Sequence, residues 1–508
     1  MEKDILKYFV TNVEGRVFAL KNLPETIKGA LFSRYSRTKK SVKELLLTEF
    51  LGELNIQPQE LEIDDSKARE FFERVLIAYG DESVAELAFA HIALEGISNI
   101  ATKVVEDPRI GISPLEKSSR YVEFDEKKDG KYQYYRDEFL LGFDYESTLD
   151  EVFDFYSWLI KELQKDLQEL YPRPEDTSPG AYKRALKAKA CDIARGLLPA
   201  ATLTNVGLAG NARAFDYLLM KMRAHPLPEI TQLAKEMHTE LSKVLPVFVK
   251  RSFDRHGDEM VRFLKEINSE PSSEFSHSEP GAHLLSVQGS MRDIYGAWLF
   301  EHSQLSLEDA MRKAKEASEQ EIQAWWEKIH NARTNRRHKP PRAFELVSFT
   351  FELVGNYGAY RDLQRHRVLT QMRQLLNPYL GYDVPEEVEQ FGYGEKWREM
   401  MEITKQLYGE IAKKNKYYAQ YALPFAYRVR WLFHLNLREA FHLIELRSGE
   451  QGHPDYRKLA IEMGKTIEKV LPPITFKYMN TNKIDLERLN LEKRIEEKLS
   501  RLGHNLHR

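Results

Sequence analysis

The strongest constraint on the fold comes from residues 343–367, AFELVSFTFELVGNYGAYRDLQRHR, in the second half of the chain. The first part of this stretch alternates in polarity and places Phe and Val at strand-favouring positions up to Gly355. Three consecutive basic or titratable side chains, Arg365, His366 and Arg367, follow soon afterwards. Because binding residues often lie on loops held by a rigid strand, the pattern predicts a strand that presents a compact positive site.

A solvated basic patch is the other explanation of Arg365-His366-Arg367, and the tripeptide alone favours it. Its position soon after an apolar strand favours a binding site instead. Guanidinium groups are planar, bidentate donors that suit phosphate and carbonyl oxygens. Both explanations therefore stay open, and anion binding is the functional one.

The first half carries a comparable strand-like segment, Ala85–Gly96, and then Ser113-Pro-Leu-Glu116-Lys-Ser118-Ser119-Arg120-Tyr121. Two hydroxyl groups and one guanidinium group within three residues suit a phosphate or a carbonyl oxygen. The alternative is the capped start of a helix, since Ser is a preferred N-cap residue. Glu116 could bind a sugar hydroxyl group or cap the same helix.

The chain also repeats itself. Leu198-Pro199 precedes Asn211-Ala-Arg213 at the same spacing at which Leu423-Pro424 precedes Asn436-Leu-Arg438. Further on, Leu-Ala-x-Glu-Met and Lys-Val-Leu-Pro recur, at 233–237 and 243–246 and again at 459–463 and 469–472. The shared order and spacing indicate a tandem duplication.

The boundary between the copies is expected at Ile267–His283, INSEPSSEFSHSEPGAH, which is rich in Ser, Pro and Glu. We predict a first domain at 1–266, a linker at 267–283 and a second domain at 284–508. Both halves predict the same order of elements, a mixed α/β class with more helix than strand. The predicted helices are Ser41–Gly52, Ala181–Arg195, Asn211–Met222, Leu307–Asn331, Lys405–Tyr418 and Asn436–Arg447.

The composition is that of an ordinary globular protein. The 508 residues carry 75 basic and 78 acidic side chains, so no global field favours nucleic acid or an anionic membrane. No apolar run is long enough for a membrane span, and the acidic N-terminus lacks a signal-peptide core. We therefore expect a cytoplasmic protein without nucleic-acid or membrane partners. The lone Cys191 excludes an intrachain disulfide.

Two other patterns are weak. Four Glu-x-x-His pairs, among them Glu439/His442, only slightly exceed the number that this composition gives by chance, and we predict no metal. The basic run Arg333–Lys339 could contact nucleic acid, but a solvated connector before Pro340-Pro341 is the favoured interpretation.

Residues 348–367 resemble the strand and flavin-binding motif of flavin-dependent thymidylate synthases. In that family one continuous motif runs Arg-His-Arg, two residues, Ser, one residue, Asn or Gln, Glu or Gln, one residue, Ser-x-Arg-Tyr. Here Arg-His-Arg stands in the second half, and Ser-x-Arg-Tyr in the first, at 118–121. Gly80–Glu86 resembles a further family stretch, Gly-His-x-Ser-Val-x-Glu, with Asp81 in place of His.

The departures from the family motif are complementary. In the second half the later motif positions read Thr370, Met372, Arg373, Leu375 and Asn377, and Asp362 replaces a family Gln. In the first half Arg-His-Arg is missing. The resemblance therefore implies at most one intact composite site, formed within one chain or across two, while the opposite pairing should be inactive.

The resemblance implies an α/β (α+β) fold of two tandem copies, each with a small, mostly antiparallel sheet and long helices. It implies reductive methylation of dUMP to dTMP, with methylenetetrahydrofolate as the carbon source and FAD reduced by NADPH. It also implies a homodimer that imitates the family tetramer. The alternatives are a degenerate flavin- or nucleotide-binding homologue without turnover, and a scaffold partner of a true synthase.

Carried over residue by residue, the resemblance assigns the site. The expected FAD-binding residues are Arg365, His366, Arg367, Glu116, Asn436, Arg438, Asn211 and Arg213. The expected dUMP-binding residues are Ser118, Ser119, Arg120 and Arg447, and the expected catalytic ones are Ser118, Arg120 and Arg365. On an ideal helix Arg438 and Arg447 diverge by roughly 180°, so they could serve two neighbouring sites or be mere surface charges.

Overall fold

A computed structural model describes residues 2–15, 18–35, 38–50, 82–268 and 274–501. Predicted features at Gly52, Gly80 and Asp81, and part of the predicted linker, lie outside these ranges. The chain forms two compact units. The smaller unit comprises Met1–Ile97, Ala101–Glu116 and Thr204–Glu274, and the larger unit comprises Ser98–Ile100, Lys117–Leu203 and Phe275–Arg508.

In the described ranges, groups of helices are separated by short strands. In chain order the helices are α1 (Glu2–Phe9), α2 (Glu25–Tyr35), α3 (Val42–Leu45), α4 (Asn99–Val105), α5 (Tyr145–Leu170), α6 (Pro179–Ala194), α7 (Ala212–Arg223), α8 (Pro228–Val244), α9 (Arg255–Ile267), α10 (Met291–Glu301), α11 (Leu307–Glu316), α12 (Glu319–Ala332), α13 (Tyr357–Leu363), α14 (Glu386–Gln390), α15 (Gly394–Ala412), α16 (Lys416–Ala419), α17 (Leu437–Arg447), α18 (Pro454–Val470) and α19 (Leu489–Arg501). The strands are β1 (Phe89–Ser98), β2 (Ile112–Glu116), β3 (Lys127–Lys128), β4 (Lys131–Tyr132), β5 (Leu203–Asn211), β6 (Gly281–Gln288), β7 (Ser348–Asn356), β8 (Thr370–Arg373) and β9 (Arg428–Asn436).

The sheets are small, and the pairings resolved in them are antiparallel. Strands β1, β5 and β2 form a three-stranded sheet in that order, and β6, β7, β9 and β8 a four-stranded one. In the larger sheet β7 pairs with β9 over its whole length, from Ser348 opposite Asn436 to Asn356 opposite Arg428. Helices dominate the rest of the described chain. The predicted class, a mixed α/β fold with small antiparallel sheets and long helices, is confirmed.

The two predicted strands begin later than expected, and in the same way. A 3₁₀ turn, Glu82–Leu87, precedes β1, and a 3₁₀ turn, Arg342–Leu346, precedes β7. In the second case Phe344 is fully buried and packs on Trp326 and Phe441, so a turn places it in the core. The shared turn agrees with the duplication seen in the sequence.

The repeated helices correspond closely. Asn211 and Asn436 are the N-cap residues of α7 and α17, and each side-chain carbonyl accepts from a backbone N–H three residues on, at 2.9 and 2.8 Å. Helices α8 and α18 both begin at a Pro and run for 17 residues. The compact units nevertheless do not coincide with the predicted repeats, because the larger unit includes Lys117–Leu203 from the predicted first repeat. The repeat boundaries themselves stay a prediction.

Two predicted helices are divided. The segment Leu307–Asn331 forms α11 and α12, because the Ser318 hydroxyl accepts from the Glu321 N–H and starts a new helix. The segment Lys405–Tyr418 spans the end of α15 and the start of α16, where the Asn415 side chain caps the second helix. In the described ranges no helix is long and apolar enough to cross a membrane.

Most of the basic run Arg333–Lys339 is exposed, as a solvated connector predicts, but Arg333 is an exception. Its side chain is buried and donates from Nη1 to Glu445 Oε1 at 2.9 Å and from Nε to the His338 carbonyl at 2.6 Å. The Phe441 ring lies 4.8 Å from the guanidinium carbon. The sequence could not show this pairing, because the acid lies on α17, far along the chain.

Removing the partner of Arg333 is expected to destabilise the fold strongly. Glu445→Ala leaves a buried, uncompensated guanidinium group, which costs about 3–5 kcal/mol. Urea denaturation measures the free energy of unfolding. The control is Glu399→Ala, whose exposed ion pair with Lys396 is worth less than about 1 kcal/mol. Equal, small losses in both variants would show that the buried pair adds nothing.

Candidate functional site

The turn that carries Ser118-Ser119-Arg120 holds a buried arginine in the larger unit. Arg120 is 8% exposed, and its Nε donates to Asp192 Oδ1 at 2.7 Å. Its Nη1 donates to the Tyr456 hydroxyl at 3.0 Å. Burial acts to lower the pKa of Arg120, but the Asp192 carboxylate more than offsets this and raises it. Arg120 is therefore cationic at all working pH values.

This arginine joins the two predicted repeats. Asp192 lies on α6 of the first repeat, while Tyr456 lies on α18 of the second. A second contact does the same, since Arg361 on α13 donates from Nη1 to Ser119 Oγ at 3.4 Å. Ser118 is half-buried, and its hydroxyl accepts from the Arg120 N–H at 3.3 Å. The structure therefore brings the Ser-x-Arg turn of one repeat against helices of the other, inside one compact unit.

A second buried ion pair lies in the same region. Arg195, 3% exposed, donates from Nη1 to Asp362 Oδ2 at 2.9 Å. Burial would raise the pKa of Asp362, yet it is held far below its usual range by nearby guanidinium groups. These groups belong to Arg195, Arg120, Arg365 and Arg447. Together with Arg361 they form what we call the arginine cluster (Arg120, Arg195, Arg361, Arg365 and Arg447).

The arginine cluster has an excess of positive charge. Three of its guanidinium groups, those of Arg120, Arg195 and Arg447, act on only two carboxylates, Asp192 and Asp362, since Arg447 is held by the neutral His366 ring. The Nη2 atom of Arg195 is buried and has no hydrogen-bond partner among the described residues. Buried N–H donors are normally satisfied, so the arrangement favours an anionic ligand.

A cavity of about 820 Å³ opens beside this cluster within the larger unit. Asp192 and Arg195 line one part of it, with Asn356, His453 and Asp455 among the other lining residues. Pockets of roughly 300–1,000 Å³ are typical of small-molecule sites. The cavity therefore offers room for a ligand of nucleotide size next to surplus positive charge.

His366 lies buried at the edge of the cluster and has both ring nitrogens engaged. Nδ1 lies 2.9 Å from Glu439 Oε1, and Nε2 accepts from Arg447 Nε at 2.9 Å. Burial lowers the pKa of His366 well below its ordinary value, with Arg447 acting in the same direction. The ring is therefore neutral, donates from Nδ1 to the carboxylate, and fixes the position of Arg447.

The group His366, Glu439 and His442 has the donor types of a metal site, with ligand atoms within 4.8 Å of one another. Burial lowers the pKa of His442 to about 4, with help from Lys339, Arg336 and Arg447. These cations would repel a divalent ion. We therefore assign no metal role to the group and regard it as support for Arg447.

Protonation of His442 is expected to destabilise the fold at acid pH. Its pKa in the folded protein, about 4, lies below the ordinary 6.5, so the unfolded chain binds the proton first as pH falls. The stability that His442 contributes is therefore fully present above pH 6.5 and is lost as pH falls towards 4. We expect this residue to lower the free energy of unfolding by about 2–3 kcal/mol across that window, because one pKa unit corresponds to about 1.4 kcal/mol. In urea titrations His442→Asn should show a shallower decline than the wild type. Parallel curves for the two proteins would contradict the assignment.

The remaining predicted residues of the second repeat lie at the surface or cap a helix. Arg365 and Arg367 are exposed. Arg438 donates to the Pro340 carbonyl at 2.9 Å and pairs with Glu345 at 3.2 Å. Asn436 caps α17 through its carbonyl oxygen. Arg438 and Arg447 thus have separate partners, as their divergence along the helix predicts.

Three predicted residues belong to the smaller unit. Glu116 is buried and forms an ion pair with Lys103 at 3.0 Å. Asn211 caps α7. Arg213 is exposed and pairs with Glu86 at 2.9 Å. Their predicted part in flavin binding stays a prediction.

The sequence interpretation missed Arg195, Asp192, Arg361 and Tyr456. One signal could have identified Arg195. Arg195 stands four residues before Pro199, the proline of the repeated Leu-Pro. In the second copy the residue four places before Pro424 is Gln420. A difference between otherwise matching copies marks a position at which they have diverged. The other three residues carry no comparable signal.

Comparisons with known proteins bear on both halves. The Thy1 family model, "Thymidylate synthase complementing protein", matches residues 34–247 and again 286–473. A UPF0159 protein of Chlamydia pneumoniae is 42% identical over 525 residues, covering 97% of each chain. One of Chlamydia muridarum is 40% identical over 516 residues, also covering 97% of each. One of Thermoplasma acidophilum is 33% identical over 505 residues, covering 92% of this chain and 98% of the relative.

Proposed function

This chain belongs to the Thy1 family of thymidylate synthase complementing proteins, as a tandem-duplicated and divergent member, and on that premise we propose that it methylates dUMP reductively to dTMP. Methylenetetrahydrofolate would supply the carbon and NADPH the reducing equivalents. The reaction would take place at one composite site per chain, built from both repeats. The observation that carries the proposal is the contact of Arg120 of the first repeat with Tyr456 of the second, inside a cluster of surplus positive charge.

The arginine cluster suits the nucleotide. A phosphomonoester carries close to two negative charges and several acceptor oxygens, which guanidinium groups bind in bidentate fashion. Arg120 keeps N–H groups beyond those used for Asp192 and Tyr456, since a guanidinium group has five. Ser118 could add a hydroxyl donor at the same turn. Substrate binding would therefore neutralise a charge excess that the protein alone leaves in place.

The second repeat offers groups that fit an anionic flavin nucleotide. Arg365 and Arg367 are exposed cations on one short segment, and Arg438 is partly exposed. The amide N–H₂ of Asn436 has no acceptor in the described part of the chain, because its cap bond uses the carbonyl oxygen. When bound there, FAD would supply the hydride, and a nearby guanidinium group would favour its anionic reduced form. His366 would act indirectly, by holding Arg447.

The direct test uses the purified full-length protein. An absorbance spectrum with the flavin bands shows whether the cofactor is carried, and release of tritium from dUMP labelled at C5 measures methylation, because the methyl group replaces that hydrogen. We expect both signals, and tritium release only with NADPH and methylenetetrahydrofolate present. A flavin-free protein that releases no tritium when FAD is added would refute the proposal.

A degenerate binding protein without turnover is the second candidate. Asp362 replaces the family Gln and is tied to Arg195, and Met372 replaces a family motif position. Such a protein would bind dUMP or flavin but release no tritium. A scaffold partner of a true synthase would bind neither. We also propose a homodimer, which sedimentation velocity would test.

A further inference from the structure

The second region matched by the family model ends at residue 473, and we call the chain after it the C-terminal extension. This extension contains a buried arginine. Arg488 is 5% exposed and lies just ahead of α19 in the larger unit. Its Nε and Nη1 atoms are buried and find no hydrogen-bond acceptor in the described part of the chain. Its guanidinium carbon lies 3.7 Å from the centre of the Tyr121 ring. A buried guanidinium group without an acceptor is costly and calls for an anionic partner.

The placement of Arg488 is specified by its neighbours. Glu487, the preceding residue, is buried and pairs with Lys189 at 2.9 Å. One turn later, Glu492 accepts from Arg184 Nε at 2.7 Å, and Lys493 pairs with Asp176 at 2.7 Å. These contacts fix the backbone on both sides of Arg488. Its unsatisfied donors therefore do not result from a loose chain end.

Arg488 lies close to the arginine cluster. Its stacking partner, Tyr121, directly follows Arg120 in the sequence. Burial lowers the pKa of Arg488 to about 9, and the positive charge of Arg120 acts in the same direction. Glu492 opposes this, but it is already paired with Arg184. Two neighbouring guanidinium groups that repel each other are a binding arrangement for an oxyanion.

We propose that Arg488 binds the phosphate group of the nucleotide together with Arg120. The residue lies outside both regions that the family model matches, so it would be a substrate-binding group specific to this kind of chain. The inference rests on the proposed function, because it takes dUMP as the ligand. A phosphate-binding role for Arg488 would explain why Glu492 of the extension pairs with Arg184 on α6, the helix that also carries Asp192.

The test compares a nucleotide with its nucleoside. Isothermal titration measures the affinities of the wild type, Arg488→Met, Arg488→Lys and Arg494→Met for dUMP, for deoxyuridine and for methylenetetrahydrofolate. Arg494 is the control, because it lies on α19, exposed, paired with Glu450 at 3.1 Å. We expect Arg488→Met to weaken dUMP binding about 10- to 100-fold and to leave deoxyuridine binding unchanged, with Arg488→Lys in between.

A structural role would give a different result. Met keeps the apolar stem and removes the unsatisfied donors, so the ligand-free melting temperature of Arg488→Met should equal or exceed that of the wild type. If Arg488→Met binds dUMP as tightly as the wild type, or weakens dUMP and deoxyuridine binding equally, the role of Arg488 is overturned while the proposed function stands. Weakening confined to methylenetetrahydrofolate would overturn that role too, and would assign Arg488 to a folate carboxylate. Absence of dUMP binding by the wild type would overturn the proposed function as well.

Discussion

Replacing Arg120 is expected to lower dUMP-dependent oxidation of the reduced flavin by about 10²–10³-fold, the usual cost of removing one charge-stabilising donor from an active site. Arg120 contacts Asp192 in its own repeat and Tyr456 in the other, and it is buried among the cationic groups that would bind the phosphate. Arg120→Lys keeps the charge but loses the bidentate geometry. Stopped-flow absorbance of the flavin measures the oxidation rate.

The loss must be separated from misfolding. Arg120→Ala alone leaves Asp192 buried and unpaired, so the double variant Arg120→Ala/Asp192→Asn should be made beside it. Arg312→Ala, which removes an exposed arginine paired with Asp309, is the control. We expect folded protein and lost oxidation in the double variant, and full activity in the control. Activity that survives in a folded double variant would remove Arg120 from the site.

Arg195→Gln is expected to produce a comparable loss, about 10²-fold or more in kcat/KM for dUMP. The substitution gives the first repeat the residue that the second repeat has at the matching position, Gln420. It removes the guanidinium group that pairs with Asp362 and that lines the cavity. Steady-state tritium release measures the effect.

The reciprocal change is the matched control. Gln420→Arg alters the other copy, where the side chain accepts from the Leu376 N–H at 3.1 Å. This variant should gain no activity, because the second copy lacks the Ser-x-Arg turn. If both variants lose activity equally, the asymmetry between the repeats has no functional meaning. If Arg195→Gln is fully active, Arg195 has a structural role and does not contribute to the substrate site.

Local features of the fold were predictable from the sequence. Strand β7 was placed by alternation, and α6, α7 and α17 by their apolar period and their caps, since these signals lie within a few residues. The divided helices were missed where Ser318 and Asn415 act as caps inside longer periodic stretches. The 3₁₀ turns before β1 and β7 were missed because their apolar residues continue the pattern of the strand.

Long-range pairings could not be predicted. Arg120 and Asp192 lie 72 residues apart, and Arg195 and Asp362 lie 167 apart, so no local pattern reports either pair. The burial of Arg333 within a basic run could not be predicted either, because its partner Glu445 lies 112 residues away. The division of the chain into compact units is a further case, because a duplicated sequence does not specify which segments of the two copies belong to the same unit.

Complementation between inactive chains tests the central claim most directly, namely that one chain joins both repeats in one site. Differently tagged Arg120→Ala and Arg365→Ala chains are co-expressed, the mixed assembly is isolated through both tags, and tritium release from dUMP is measured. Since Arg120 and Tyr456 meet within one chain, we predict that the mixture is as inactive as either variant alone. Recovery of a large fraction of wild-type activity would contradict this, because it would place the two arginines of each working site on different chains.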